Sequence, residues 1–114
     1  MTQGRLDGSG QREKSMRLTP LIVRDRVNSA LTIAAEGGKA DIAKPLKGLG
    51  SGVMEIAVRY RTDAYRVVYV TEVAGTLWVI HAFQKKSKMG AKTPKADIDL
   101  VQTRLGQLRK GLLQ

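Results

Sequence analysis

The stretch VMEIAVRYRTDAYRVVYVTEVAGTLWVIHAF, residues 53–83, decides the fold. From Val53 the apolar period is two. Met54, Ile56, Val58 and Tyr60 alternate with Val53, Glu55, Ala57 and Arg59, the pattern of a strand with one buried face. Arg61-Thr62-Asp63-Ala64 supplies a turn. A second run, Tyr65 to Val73, is rich in Val and Tyr, and Ala74-Gly75-Thr76 joins it to a third, Leu77 to Phe83. The expectation is a meander of three antiparallel strands. By the same alternation His81 shares a face with Leu77, Val79 and Phe83.

Upstream of the meander, Thr19 in the N-cap position and Pro20 at the first helical position open a helix. Its apolar residues Val23, Val27, Ala30, Leu31 and Ala34 recur at helical spacing, and Gly37-Gly38 ends it. A short second segment, Ala40 to Ala43, precedes Pro45, and Lys44 to Gly52 reads as a glycine-rich connecting loop. Residues 1–18 are polar and lack a period that could bury a face, so they read as a mobile arm. Downstream, Thr93-Pro94 opens a last helix in which Ile98, Val101, Leu105, Leu108 and Leu112 form an apolar stripe. The sum is an α+β chain: N-terminal helices, a small twisted antiparallel β-sheet and a C-terminal helix. It forms a single domain over residues 19–114, and 114 residues suffice for one modest core.

Lys and Arg number 20 against 10 Asp and Glu, a formal net charge of +10. The excess concentrates in FQKKSKMGAKTPK, residues 83–95, which holds five lysines and no acidic residue. Clustered lysines repel one another unless counterions or a partner neutralise them, which makes phosphate the first candidate and RNA the leading partner. The absence of cysteine excludes disulfides, thiolate metal sites and cysteine nucleophiles, and one histidine leaves carboxylates alone for metal binding. The first residues lack the apolar core of a signal peptide, and no apolar run approaches the roughly 20 residues that span a bilayer. The expected location is the cytoplasm.

Arg59, Arg61 and Arg66 fall on adjacent strands or their turn, and Lys85 and Lys86 leave the end of the third strand, so a meander can bring them together. Such a cluster can grip phosphates, stabilise a pentacoordinate phosphoryl transition state and hold a lysine of depressed pKa as a proton acceptor. RNA supplies its own nucleophile, the 2′-hydroxyl, so cleavage needs positioning, an acid, a base and cations. Against this stands the ordinary reading of exposed cations as solubility and edge-protection devices. Likewise His81 reads as a satisfied core histidine or as an acid–base group, and Trp78 and Tyr65 as core residues or base-stacking platforms. The connector LKGLGSG lacks the order of a phosphate-binding loop and reads as a turn.

The runs KPLKGLGSGVMEIAVRYRTDAYRVVYV and LWVIHAFQKKSKMGAKTP, followed by KADIDLVQTRL, resemble the RelE/HigB superfamily of type II toxins, most of all its phage-related HigB branch. The resemblance spans roughly Thr19 to Arg109. It implies the compact RelE-type α+β toxin fold and endoribonucleolytic cleavage of mRNA, in several members only on the translating ribosome. The products would be a 2′,3′-cyclic phosphate and a 5′-hydroxyl, formed with no metal and no cofactor. The implied partners are mRNA, the ribosome and a cognate antitoxin, in this branch a helix-turn-helix protein of the HigA type.

By position, the resemblance assigns Arg66 in YRVVY to the scissile phosphate and puts Arg59 where related toxins keep a phosphate ligand or a general base. A guanidinium is a poor base at neutral pH, so charge stabilisation is the role expected of Arg59. The resemblance assigns Lys85 and Lys86 to neutralising or protonating the leaving 5′-oxygen, and it draws His81 into the same motif. Arg61, Lys88 and Lys92 are expected to bind the RNA backbone. Several RelE toxins use a tyrosine near the C-terminus, whereas nothing aromatic follows Phe83 here, so that part of the mechanism does not carry over. The alternative reading is a non-catalytic RNA- or ribosome-binding relative, acting only in complex with its antitoxin.

Overall fold

A computed structural model describes residues 19–73, 76–86 and 93–113. In chain order the elements are α1 (Leu21–Ala35), β1 (Ala43–Pro45), β2 (Val53–Tyr60), β3 (Asp63–Val73), β4 (Thr76–Lys86) and α2 (Lys95–Leu113). The chain is α+β, and its four strands form one antiparallel sheet in the order β1-β2-β3-β4. The polar arm expected over residues 1–18 lies outside the described residues.

The first helix begins one residue later than the sequence suggests. Pro20, with φ −58° and ψ 146°, is the cap itself, and its carbonyl accepts from the Val23 and Arg24 amides. Extended backbone at Pro20 keeps it out of the first turn, so Thr19 is not the N-cap. The other end forms as expected. Gly37, at φ 93°, donates to Ala34 O while Gly38 donates to Ile33 O, the paired bonds of a Schellman ending.

Between α1 and the meander the expectations need correction. Ala40 to Ala43 is a turn rather than a helix, closed by the Ala43 amide donating to Ala40 O. Thus a single helix precedes the sheet among the described residues. Ala43–Pro45 is not loop but a fourth strand, in which Ala43 pairs with Ile56, Lys44 with Glu55 and Pro45 with Met54. Pro45 fits here because β1 is an edge strand, where one missing donor breaks no ladder. The glycine connector does turn, with Gly48 at φ 87°, Gly50 at 98° and Gly52 at 79°. At Gly50 a Cβ would also meet the Arg109 guanidinium at 3.5 Å. Gly50→Ala is expected to cost about 1–2 kcal/mol through its left-handed backbone, read as a lower urea midpoint.

The β2–β3 hairpin is tighter than expected. Tyr60 pairs with Asp63, leaving Arg61 and Thr62 as the turn, and Arg61 takes φ 60°. The last strand is longer than its apolar run: its ladder continues through Lys85, opposite Ala64, and Lys86, opposite Asp63. Backbone pairing does not stop where side chains become charged, so these two lysines belong to the sheet rather than to a loop beyond it.

Alternate residues of the central strands enter two separate cores. Ile56, Val58, Val67 and Tyr69 pack with Val23, Val27, Ala30 and Ala34 of α1. Val53, Val68, Val70 and Ile80 pack with Val101 and Leu105 of α2. The helices therefore cover opposite faces of the sheet. Each fully buried Val or Leu contributes about 1.5–3 kcal/mol, so both helices are held by their stripes rather than by intrinsic propensity. Tyr65 packs against the α1 core and Trp78 against the α2 core, the structural role for both.

One irregularity matters for the site. Val68 pairs with His81 but Tyr69 with Val79, so Ile80 is an extra residue in β4. This bulge breaks the alternation. Val79 becomes 51% exposed while Ile80 and His81 are both buried. His81 therefore keeps company with Ile80 and Phe83 on the α2 side, not with Leu77 and Val79 as simple alternation predicts.

Candidate active site

Residues paired across an antiparallel ladder share a face. Arg59 pairs with Ala64 and Ala64 with Lys85; Ala57 pairs with Arg66 and Arg66 with Phe83; Glu55 pairs with Val68 and Val68 with His81. Val68 belongs to the α2 core, so Arg59, Arg66, His81 and Lys85 lie together on that side of the sheet, with Glu55 among them. Arg61 stands apart in the hairpin turn, its guanidinium 5.3 Å from the centre of the Tyr60 ring. Lys86 is in the strand opposite Asp63, and Lys88 and Lys92 lie outside the described residues.

Arg66 is the centre of the group and is only 8% exposed. Its Nη1 donates to Glu55 Oε1 at 2.9 Å, and Glu55 Oε2 accepts from Thr93 Oγ1 at 2.7 Å. Thr93, expected to open the last helix, thus ties the start of α2 to the sheet. Among the described residues, the buried Arg66 Nε has no hydrogen-bond partner. A guanidinium presents five donors in a planar fork, so this one retains capacity for another anionic oxygen.

Lys85 is as buried as Arg66, at 8% exposed. Burial pushes the Lys85 ammonium below the ordinary lysine range, and the neighbouring Arg66 charge pushes in the same direction, while Glu55 and Asp97 partly oppose the shift. A lysine so situated releases its proton more readily than an exposed one. Arg59 is exposed on β2, at the solvent side of this cluster.

His81 is tied down at both ring nitrogens. Nε2 is 2.7 Å from Asp97 Oδ1, and Nδ1 is 3.4 Å from Arg104 Nη1, which also donates to Ile80 O at 2.9 Å. A guanidinium can only donate, so Nδ1 acts as the acceptor and the proton sits on Nε2, directed to Asp97. The ring stacks on Phe83 with centroids 5.1 Å apart. These contacts fasten α2 to the sheet beside the cluster. They suit a positioning residue better than a group that exchanges protons with a substrate.

Sequence reasoning sought cations and missed the anion among them. Glu55 was visible as the lone carboxylate in the alternating set Val53, Glu55, Ala57 and Arg59. Nothing local in the sequence reveals that Thr93, Asp97 and Arg104 converge on this face, because the α2 packing brings them there. Together the residues gather a guanidinium, a carboxylate and a buried lysine on one patch, groups whose chemistry suits holding an anion and exchanging protons.

The family described as phage derived protein Gp49-like (DUF891) matches residues 14–106, most of the chain and the whole of the candidate site. The chain belongs to the Gp49-like family. The Gp49-like family is toxin-like and relates to toxin–antitoxin systems. No curated protein and no solved structure matches this Gp49-like chain. No described helix of it is long and apolar enough to cross a membrane.

Proposed function

We propose that this Gp49-like protein is the toxin of a type II toxin–antitoxin module, a cytoplasmic endoribonuclease of RelE/HigB type that cleaves mRNA on the ribosome without a metal. The observation that carries this reading is the grouping of Arg66, Glu55 and Lys85 on one sheet face, with the buried Nε of the Arg66 guanidinium lacking a hydrogen-bond partner among the described residues. Family membership supports the toxin role, and the charge of +10 supports a polyanionic substrate.

In the proposed reaction, a substrate phosphate competes with Glu55 for the Arg66 fork and takes its place. The freed carboxylate accepts the proton of the 2′-hydroxyl, whose oxygen attacks the adjacent phosphorus. As that bond forms, the bond from phosphorus to the 5′-oxygen breaks, and the Lys85 ammonium gives the leaving oxygen its proton. The products are a 2′,3′-cyclic phosphate and a 5′-hydroxyl. Arg66 and Arg59 stabilise the charge that grows on the phosphoryl oxygens. Arg61, Lys88 and Lys92 hold the RNA backbone, and Lys86, next to Lys85 in β4, falls on the other face by alternation and takes no part in the reacting cluster. The proposed partner is a helix-turn-helix antitoxin of the HigA type that covers the basic face.

A second reading has one observation in its favour. Glu55 already pairs with Arg66 Nη1 and accepts from Thr93, as in a purely structural network. On that reading the protein binds RNA or the ribosome without cutting. Inducible expression in a bacterial host separates the two. Growth arrest with new mRNA 5′-ends for the wild type, and neither for Arg66→Ala, supports the toxin. A folded wild type that produces neither arrest nor new ends supports the binding module.

A further inference from the structure

Ala57 occupies an interior strand, with β1 on one side and Arg66 of β3 on the other, and its amide donates to Ile42 O. Residues in the middle of a sheet are ordinarily covered on the face they point to. Ile56 and Val58, which point to α1, are buried, yet Ala57 is exposed. The reason lies in the placement of α2. Its buried residues Val101 and Leu105 pack with Val68, Val70 and Ile80 and reach β2 only at its start, through Val53, so the α2 face stays open farther along β2 at Ala57.

The open strip has charged ends. Lys44 of β1 is exposed and pairs with Glu55, so it shares this face. Arg59 is exposed farther along β2, about 13 Å from the Glu55 position at the usual rise per residue. Between them the floor is the methyl group of Ala57, directly across from Arg66. Neighbouring strands lie about 5 Å apart, so a strip of this width has room for one extended chain rather than a duplex. Cations spaced along a shallow, flat-floored track are the arrangement that follows a single polynucleotide backbone.

We infer that the exposed β1–β2 strip, floored by Ala57 and flanked by Lys44 and Arg59, is the track along which single-stranded RNA reaches Arg66. This inference rests on the endoribonuclease reading and deepens it: Lys44 is a phosphate contact outside the reacting cluster, and the small side chain at position 57 sets the depth of the track. A larger residue there lifts the backbone away from Arg66. Ala57 is exposed and extended, so a β-branched residue suits its backbone and leaves both cores untouched.

The test uses Ala57→Ile and Lys44→Ala in the full chain, each checked for an unchanged melting transition. The probe is a 2′-O-methylated RNA oligonucleotide, free and as the message in the A site of a bacterial ribosome, which binds but offers no 2′-hydroxyl to react. Ala57→Ile is expected to weaken binding at least tenfold and to slow cleavage of the unmodified message to match. Lys44→Ala is expected to make the slope of log affinity against log salt shallower by about 0.7, the loss of one single-strand phosphate contact. If the wild type binds and cleaves while both folded variants equal it, the track is elsewhere and the inference is overturned with the cleavage reading intact. Unchanged RNA binding with loss of an acidic co-expressed protein assigns the strip to that protein and also overturns it. A wild type that neither binds nor cleaves removes both.

Discussion

Arg66→Ala is expected to slow RNA cleavage by about 10³-fold and to destabilise the fold by about 2 kcal/mol at the same time. The kinetic loss is that of a preorganised donor aimed at charge growing in the transition state. The stability loss has a different origin. Arg66 and Glu55 have side chains only 10% and 12% exposed, so removing one partner leaves the other charge poorly solvated. Thr93 still donates to Glu55, which keeps the penalty below the 3–5 kcal/mol of a fully buried pair. The two effects separate in the double variant. Adding Glu55→Gln to Arg66→Ala removes the stranded charge and should return the urea midpoint most of the way to the wild type, with cleavage no faster than in Arg66→Ala. Arg66→Lys keeps the charge but not the planar fork, and its expected rate lies between wild type and alanine. Single-turnover rates on programmed ribosomes, set beside urea denaturation of the same preparations, check all three.

Lys85→Met should do the opposite to the fold. It is expected to lower cleavage by about 10²–10⁴-fold, the usual contribution of a positioned proton donor, without lowering stability. Burial and Arg66 hold the Lys85 pKa below its ordinary value, so the protonated side chain disfavours the folded state at neutral pH. The sign with pH follows. Between the lowered folded pKa and the unfolded value near 10.5, the unfolded chain holds a proton that the folded chain has released. Wild-type stability therefore rises with pH through that window relative to Lys85→Met, while the burial penalty is fully present below it. Cleavage runs the other way and falls as the donor loses its proton. Lys85→Arg keeps a cation that does not titrate in this range and should flatten that alkaline decline, at a lower rate throughout. A wild-type rate that does not fall toward high pH would remove Lys85 from the role of acid.

The meander was legible because Met54, Ile56, Val58 and Tyr60 repeat every second residue, and α2 because its stripe repeats at helical spacing. Three features were not legible, each for a physical reason. Ala43–Pro45 is too short to show a period and contains a proline, so only its pairing with β2 makes it a strand. The end of β4 is masked because lysines end the apolar run while the ladder goes on to Lys86. The bulge at Ile80 leaves no mark in composition, yet it decides which face His81 shares.

For the site, the meander places Arg59, Arg66 and Lys85 on neighbouring strands, and the ladder register puts all three on one face. The carboxylate that completes the cluster is hidden in the sequence by the excess of positive charge around it. Glu55 is one acidic residue on a basic face, and its position opposite Val68, diagonal to Arg66, is what gives it a role. Thr93 and Asp97 became visible only once α2 was packed against the sheet.

The chemistry of the cut is the most direct test of the proposed reaction. Purified wild type and Arg66→Ala are incubated, at the lowest magnesium that keeps ribosomes assembled and with a chelator that takes transition metals but leaves magnesium, with a message carrying either ribose or 2′-deoxyribose at the cleaved position. Cleavage by the wild type alone, on the ribose message alone, with a 2′,3′-cyclic phosphate and a 5′-hydroxyl at the new ends, is the predicted result. A folded wild type that leaves the ribose message intact, or cuts the deoxy message equally well, would contradict it.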